Sequence, residues 1–132
     1  MFDLTAVSWS TTARSGSHLW LAEAVATIGL LLVIFGVVRS GRSSVVAFAV
    51  GGYIAGAYYF TSSTSFANPA VTISRMFSDT FAGIRPADAP AFIVAQLVAV
   101  AVGIVVIKVL YPDIESVADR VVLPHDDPPA EV

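Results

Sequence analysis

Long apolar stretches alternate with short polar ones along this chain. Three of the stretches, residues 19–38, 43–62 and 89–111, are each long enough to cross a bilayer as a helix, which takes about 20 residues. Strongly polar side chains inside them are few, chiefly Glu23 in the first stretch and Gln96 in the third. The pattern predicts an all-α membrane protein with three transmembrane helices.

The second and third stretches are joined by a polar segment that contains a helix start signal. Asn68 is a strong N-cap residue, Pro69 suits the first helical position, and the next helix breakers are Gly83 and Pro86. The resulting helix has about 10 to 14 residues, or about 15 to 21 Å, which is about half of a bilayer. We therefore expect a re-entrant loop and half-helix over residues 63–82, with its non-helical backbone buried in protein or lining a water-filled path.

Composition places the chain in a membrane and excludes several classes of function. Of the 132 residues, 56% are hydrophobic and only 13% are charged, a balance far more apolar than that of soluble domains. Cysteine is absent and the two histidines, His18 and His125, are far apart in the sequence, so neither catalytic residues nor a metal-ligating cluster can be assigned. The spans hold no paired carboxylates and no nucleophile–base arrangement, so we expect no enzyme and no cofactor.

Both ends of the chain are expected to lie outside the membrane domain of residues 19–111. Residues 1–18 carry Asp3 ahead of any basic residue and lack a continuous apolar core, so they are predicted to be an exposed or interfacial lead-in rather than a signal peptide. Residues 112–132 are predicted to form an acidic, flexible tail, whose six acidic side chains and single arginine make the net charge of the whole chain negative, at -3. This charge makes nucleic acid a poor partner.

The polar segment between the second and third spans resembles a known signature. Its run "FANPAVTI" carries the Asn-Pro-Ala triplet of the aquaporin and aquaglyceroporin (major intrinsic protein) family, and the order span, span, half-helix, span resembles one half-repeat of that fold. The stretch "SWSTTARSGSHLW" is similar to the loop that joins the two halves of bacterial members. The stretch "TSFANPAVTISRMFSDTFAGIRP" resembles their second re-entrant loop, particularly in aquaglyceroporins associated with arsenic resistance. The resemblance covers residues 19–111 and implies the C-terminal half of an aquaporin fold.

The resemblance assigns roles to residues of the half-helix and of the first span. Asn68, Pro69 and Ala70 match the pore signature, and Glu23 matches a glutamate that supports the re-entrant loop. Asn68 is interpreted either as a pore donor or as a plain helix cap, and Glu23 either as a structural acceptor or as a proton carrier. We expect the pore donor, because polar groups at the bilayer midplane are costly and usually functional, and an acceptor that binds backbone N–H groups of residues 61–68.

The resemblance also points to a wide constriction of low charge. Its selectivity-filter positions fall on Gly56, Ser65 and Val71, and Val71 stands where water-selective members have an arginine. These side chains favour glycerol-sized or metalloid-hydroxide solutes over strict water selectivity. Arg75 is interpreted either as a charge in the outer vestibule or as the partner of Asp79 in an i, i+4 ion pair, and we expect the ion pair.

Two functional hypotheses follow. The first is passive transport of small uncharged solutes (glycerol, metalloid hydroxides and water) by a homo-oligomer in which two copies pair in inverted orientation, as one pair or as four. The second is a non-conducting half that needs a separate N-terminal half or that modulates a full-length channel. In both, we expect a multi-pass protein of the cell membrane, in bacteria the inner membrane, with the lipid bilayer and a small neutral solute as its partners.

Overall fold

The helices of the computed structural model, which describes residues 7–112, follow the apolar stretches of the sequence. They are α1 over Ser17–Arg39, a 3-10 turn over Ser43–Val45, α2 over Val46–Phe60, α3 over Pro69–Arg75 and α4 over Ala89–Leu110. No strand occurs within the described residues. The predicted acidic tail beyond Pro112 and the first six residues of the lead-in lie outside the described part of the chain.

Three helical segments are long and apolar enough to cross a membrane. They are Ser17–Arg39, Ser43–Phe60 and Ala89–Leu110. Their bounds lie close to those of the three spans that the apolar pattern predicts. The all-α membrane fold is therefore confirmed.

Helix α1 is central, because both α4 and α2 pack against it, whereas α3 packs against α4. Glycines permit the close approaches. A side chain at Gly29 of α1 would overlap the hydroxyl group of Tyr53 in α2. That hydroxyl donates a hydrogen bond to the Ala26 carbonyl oxygen at 2.9 Å. Small residues at such contacts let transmembrane helices approach closely.

The buried hydrophobic cluster lies around the start of α4 and the loops beside it. Phe66, Ile84, Ala89 and Phe92 form this cluster, and the rings of Phe66 and Phe92 are 5.6 Å apart between centroids. Phe66 precedes α3 and Ile84 precedes α4 in the sequence. Burial of these side chains therefore attaches the loops on both sides of α3 to the last span.

The described part of the N-terminal segment packs against the loop that follows α3. The backbone amides of Ser8 and Ser10 donate to the carbonyl oxygens of Phe77 and Met76, at 3.2 and 2.8 Å. Ser10 and Arg14 are buried. The sequence predicts an exposed or interfacial lead-in, but these residues are part of the packed structure, because their backbone and side-chain groups pair with a distant loop.

Helix α3 is shorter than the half-helix of about 10 to 14 residues that the sequence predicts. It has 7 residues and ends at Arg75, which is about 10 Å of helix. Beyond it, the Asp79 carboxylate accepts hydrogen bonds from the backbone amide and hydroxyl group of Thr11, at 2.9 and 3.0 Å. Hydrogen bonds to the N-terminal segment thus replace those of a continuing helix, and no local breaker before Gly83 signals this end.

Candidate functional site

Asn68 caps helix α3 and remains exposed. Its Oδ1 accepts a hydrogen bond from the Ala70 amide at 2.8 Å, and Pro69 occupies the first turn. The side-chain oxygen accepts the cap hydrogen bond, and the side-chain nitrogen of this exposed residue is a further hydrogen-bond donor. Ala70 is also exposed, and Pro69 is half-buried. The Asn-Pro-Ala triplet therefore lies at the accessible start of a short helix.

Glu23 of α1 holds the loop in front of α3. Its Oε1 accepts a hydrogen bond from the Phe66 amide, and its Oε2 accepts one from the Ala67 amide, both at 2.9 Å. The Glu23 side chain is completely buried. Both donors lie within residues 61–68, where the sequence predicts the partners of this carboxyl group. Without an acceptor, each buried amide would cost several kcal/mol in apolar surroundings.

The loop that Glu23 holds has an unusual backbone. Thr64, Ser65 and Ala67 have positive φ angles of 63, 50 and 52°, a region that residues other than glycine seldom occupy. The hydroxyl groups of Thr64 and Ser65 are buried, and neither has a hydrogen-bond partner among the described residues. Such conformations cost free energy and persist only where the surrounding structure fixes them.

A buried polar network links Glu23 to α3 and α4 through Gln96. The Gln96 amide nitrogen donates to Glu23 Oε2 at 2.7 Å and to Thr72 Oγ1 at 2.9 Å. The Thr72 hydroxyl also donates to the Asn68 carbonyl oxygen at 3.1 Å. The sequence pattern assigns no function to Gln96. Its place in the sequence could have indicated a role, because a strongly polar side chain in an otherwise apolar span usually has a polar partner inside the protein.

Arg14, in the N-terminal segment, binds the loops on both sides of α3. Its guanidinium group donates to the carbonyl oxygens of Ser63 at 3.0 Å, Phe81 at 2.8 Å and Gly83 at 2.6 Å. The guanidinium carbon lies 5.2 Å from the centroid of the Phe66 ring. Sequence reasoning missed this residue, and its polar neighbours in the sequence provide no signal that it is buried.

Asp88 fastens the N-terminal segment to the start of α4. Its Oδ2 accepts a hydrogen bond from the Arg14 backbone amide at 2.8 Å, and its Oδ1 pairs with the Arg85 guanidinium at 3.1 Å. Burial acts to raise the pKa of Asp88, but these hydrogen bonds and the charge of Arg85 outweigh it and hold the pKa below its ordinary value. Burial also lowers the pKa of Arg14, an effect that the nearby Glu23 carboxyl group partly opposes.

The three predicted filter residues lie in different environments. Gly56 is exposed on α2, and a Cβ atom added there would meet no atom within 4 Å. Ser65 is buried in the loop, whereas Val71 is half-buried and packs against the cluster that contains Phe66. A single copy of the chain therefore brings neither Ser65 nor Val71 against Gly56, and the filter role of these residues stays a prediction.

Arg75 contacts Tyr58 and does not pair with Asp79. Its Nη2 atom donates to the Tyr58 hydroxyl oxygen at 3.4 Å. The prediction of an ion pair between Arg75 and Asp79 is wrong, because these two described residues form no such contact. An i, i+4 pair requires a helix that continues to residue 79, whereas α3 ends at Arg75 and the Asp79 carboxylate binds Thr11. The vestibule role of Arg75 stays a prediction.

An apolar groove lies between α1 and α4, away from the polar loop. It has a volume of about 500 Å³, and its lining includes Trp20, Ala24, Val94 and Ala95. None of the site residues that the sequence predicts lines it. Across residues 7–112, no group of three or more His, Cys, Asp or Glu side chains is placed to hold a metal ion.

Comparison with known proteins gives one relative that matches most of the described fold. The chain is 50% identical over 97 residues to the aquaglyceroporin AqpS of Rhizobium meliloti (strain 1021). The matched residues are 74% of this chain and 41% of that protein, so the chain spans less than half the length of this relative. No protein-family model matches the chain, and no solved structure matches it. On this identity and on its three apolar spans, the chain belongs to the aquaporin and aquaglyceroporin (major intrinsic protein) family.

Proposed function

We propose that this chain is a membrane channel subunit for passive transport of small uncharged solutes, namely glycerol, metalloid hydroxides and water. The observation that carries the proposal is the exposed, Asn68-capped helix α3, whose preceding loop is hydrogen-bonded to buried Glu23. The name of the 50% identical relative, an aquaglyceroporin, supports this class of activity. The small or uncharged side chains at Gly56, Ser65 and Val71 support a wide path that admits glycerol-sized solutes.

A complete pore needs a second unit, and we propose a second copy of the chain in inverted orientation. Helix α2 supports this pairing, because Ala57 is its one buried residue. Added Cβ atoms at Gly51 and Gly52 would meet nothing within 4 Å, so another helix has room to approach here. Inverted repeats meet near the bilayer midplane in many transport proteins, and each copy would then contribute one Asn68. One such pair, or four, would form the homo-oligomer in the bacterial inner membrane.

A non-conducting half is the competing proposal, and the length of the match favours it. The matched residues cover 41% of the aquaglyceroporin relative, so the rest of that relative has no counterpart in the match. A separate chain equivalent to that part would then complete the pore, or this chain would modulate a full-length channel by binding to it.

Liposomes that contain the purified chain separate the two proposals. The channel proposal expects glycerol and water permeabilities, measured by light scattering, above those of empty liposomes. Gly52→Leu on the open face of α2 should remove the excess permeability, whereas Val105→Leu on an exposed position of α4 should leave it unchanged. Parent liposomes that are no more permeable than empty ones would overturn the homomeric channel. Cross-linking that yields only parallel pairs would overturn the inverted arrangement.

A further inference from the structure

We propose that Arg14 is a positioning residue, which holds the loop of residues 63–67 in its strained conformation and thereby sets the solute selectivity of the channel. The selectivity part rests on the proposed function. The positioning of the loop rests on contacts within this chain alone, so the two parts can be tested separately.

The guanidinium group of Arg14 joins the segment that enters α3 to the segment that leaves it. One nitrogen donates to the Ser63 carbonyl oxygen before the helix, and the other two donate to the Phe81 and Gly83 carbonyl oxygens after it. Arg14 is 6% exposed, so these contacts are made away from water. A planar group with several donors in fixed directions suits such a three-way contact, whereas a lysine ammonium group has fewer donors and a different geometry.

A guanidinium group binds one end of this loop and a carboxyl group binds the other. Arg14 binds the carbonyl oxygen of Ser63 and lies over the ring of Phe66 at 5.2 Å, a cation–π contact. Glu23 binds the amides of Phe66 and Ala67. The residues between these attachments include Thr64 and Ser65 with positive φ angles, which require outside contacts to persist. Arg14 and Glu23 together provide those contacts.

The position of this loop matters for selectivity because the loop contains Ser65 and leads directly into Asn68. Ser65, the predicted filter residue of the loop, lies between the Arg14 contact at Ser63 and the Glu23 contact at Phe66. Asn68 follows directly and starts α3. Release of the Arg14 contacts would let Ser65 and the start of α3 move relative to the spans, which changes the width of the path rather than the assembly of the chain.

Hydrogen–deuterium exchange in lipid nanodiscs tests the positioning, with Arg14→Gln, Arg14→Lys and the matched control Arg85→Lys. Arg85 is the control because it is half-exposed and bonds Asp88 rather than the loop. Loss of charged hydrogen bonds should speed exchange of the amides between residues 61 and 68 by about tenfold or more in Arg14→Gln. Arg14→Lys should give an intermediate increase, and it replaces Arg14→Gln if that variant fails to assemble. Exchange in α1 and α4 should not change.

Liposome flux with the same variants tests selectivity. Arg14→Gln should change the ratio of glycerol to water permeability, while Arg85→Lys keeps the parent ratio. Loop exchange equal to that of the parent, or a faster exchange spread evenly over the spans, would overturn the proposal. Faster amide exchange in the loop with an unchanged permeability ratio would also overturn the proposal, because Arg14 would then be purely structural. If the parent chain does not conduct, the proposed function fails, and the exchange measurement still decides whether Arg14 positions the loop.

Discussion

Gln96 of α4 donates a hydrogen bond to the Glu23 carboxyl group of α1, with 2.7 Å between Nε2 and Oε2. Both side chains are completely buried. The same amide nitrogen contacts the hydroxyl group of Thr72 in α3. Three helices thus meet at one polar network inside an otherwise apolar bundle, which ties the short helix to two membrane spans.

Replacement of Gln96 by leucine should destabilise the protein. Gln96→Leu removes a donor to Glu23 and leaves the buried Thr72 hydroxyl with fewer partners, at a cost of about 1–3 kcal/mol. The thermal midpoint of the detergent-solubilised protein, followed as the fraction that stays monodisperse after heating, should fall. Val98→Leu, at an exposed position of the same helix, should melt like the parent. Equal midpoints for the two variants would contradict a stabilising network.

Glu23→Ala should lower expression and assembly more than Gln96→Leu does. It removes the acceptor of the Phe66 amide, the Ala67 amide and the Gln96 side chain. Glu23→Gln keeps one carbonyl oxygen and should give an intermediate yield of monodisperse protein. The loop-support role of Glu23 would be wrong if the alanine variant assembled and melted like the parent.

Gly29→Ala should disrupt the contact between α1 and α2. The new methyl group would overlap the Tyr53 hydroxyl group, which donates to the Ala26 carbonyl oxygen. Overpacking of this kind costs about 1–3 kcal/mol and should lower the thermal midpoint. Gly36→Ala, in the same helix, is the matched control, because a Cβ atom there meets only the Tyr111 hydroxyl oxygen, at 3.5 Å, an ordinary van der Waals distance. A control that lost more stability than Gly29→Ala would contradict the packing seen in the single chain.

Acid should weaken the attachment of the N-terminal segment at Asp88. The pKa of Asp88 is lower in the folded protein than its unfolded value of about 4. Ionised Asp88 therefore contributes stability above about pH 4, and this contribution is lost as the pH falls through the lower folded value. The thermal midpoint of the parent should drop on acidification below about pH 4, and Asp88→Asn, which cannot ionise, should show a smaller drop. Parallel pH profiles for the two proteins would contradict this assignment.

Substitutions at Val71 and Asn68 should change what the channel admits. Val71→Arg adds a bulky charge at a predicted filter position and should reduce glycerol flux more than water flux. Asn68→Asp replaces an amide donor by a group that can carry negative charge, so cation exclusion should weaken. Light scattering measures the neutral solutes, and a pH- or ion-sensitive dye inside the liposomes measures cation leak. An unchanged glycerol-to-water ratio in Val71→Arg would place Val71 outside the filter.

Local sequence is enough to locate the spans and the start of the short helix. Each span is an apolar run of bilayer length, and Asn68 with Pro69 forms a cap from neighbouring atoms of the same turn. The partner of Glu23 could be predicted as a segment, residues 61–68, because the family resemblance implies a glutamate that supports the re-entrant loop, whose backbone amides need acceptors.

Contacts between residues far apart in the sequence decide the remaining features. The Arg14 guanidinium reaches the carbonyl oxygen of Ser63, and the Asp79 carboxylate reaches Thr11, so the end of α3 and the burial of the N-terminal segment depend on pairings that no local pattern contains. Gln96 has no role until α4 lies beside Glu23 of α1. A hydrogen bond needs its two atoms within about 3 Å, and only the packing of the helices brings these atoms that close.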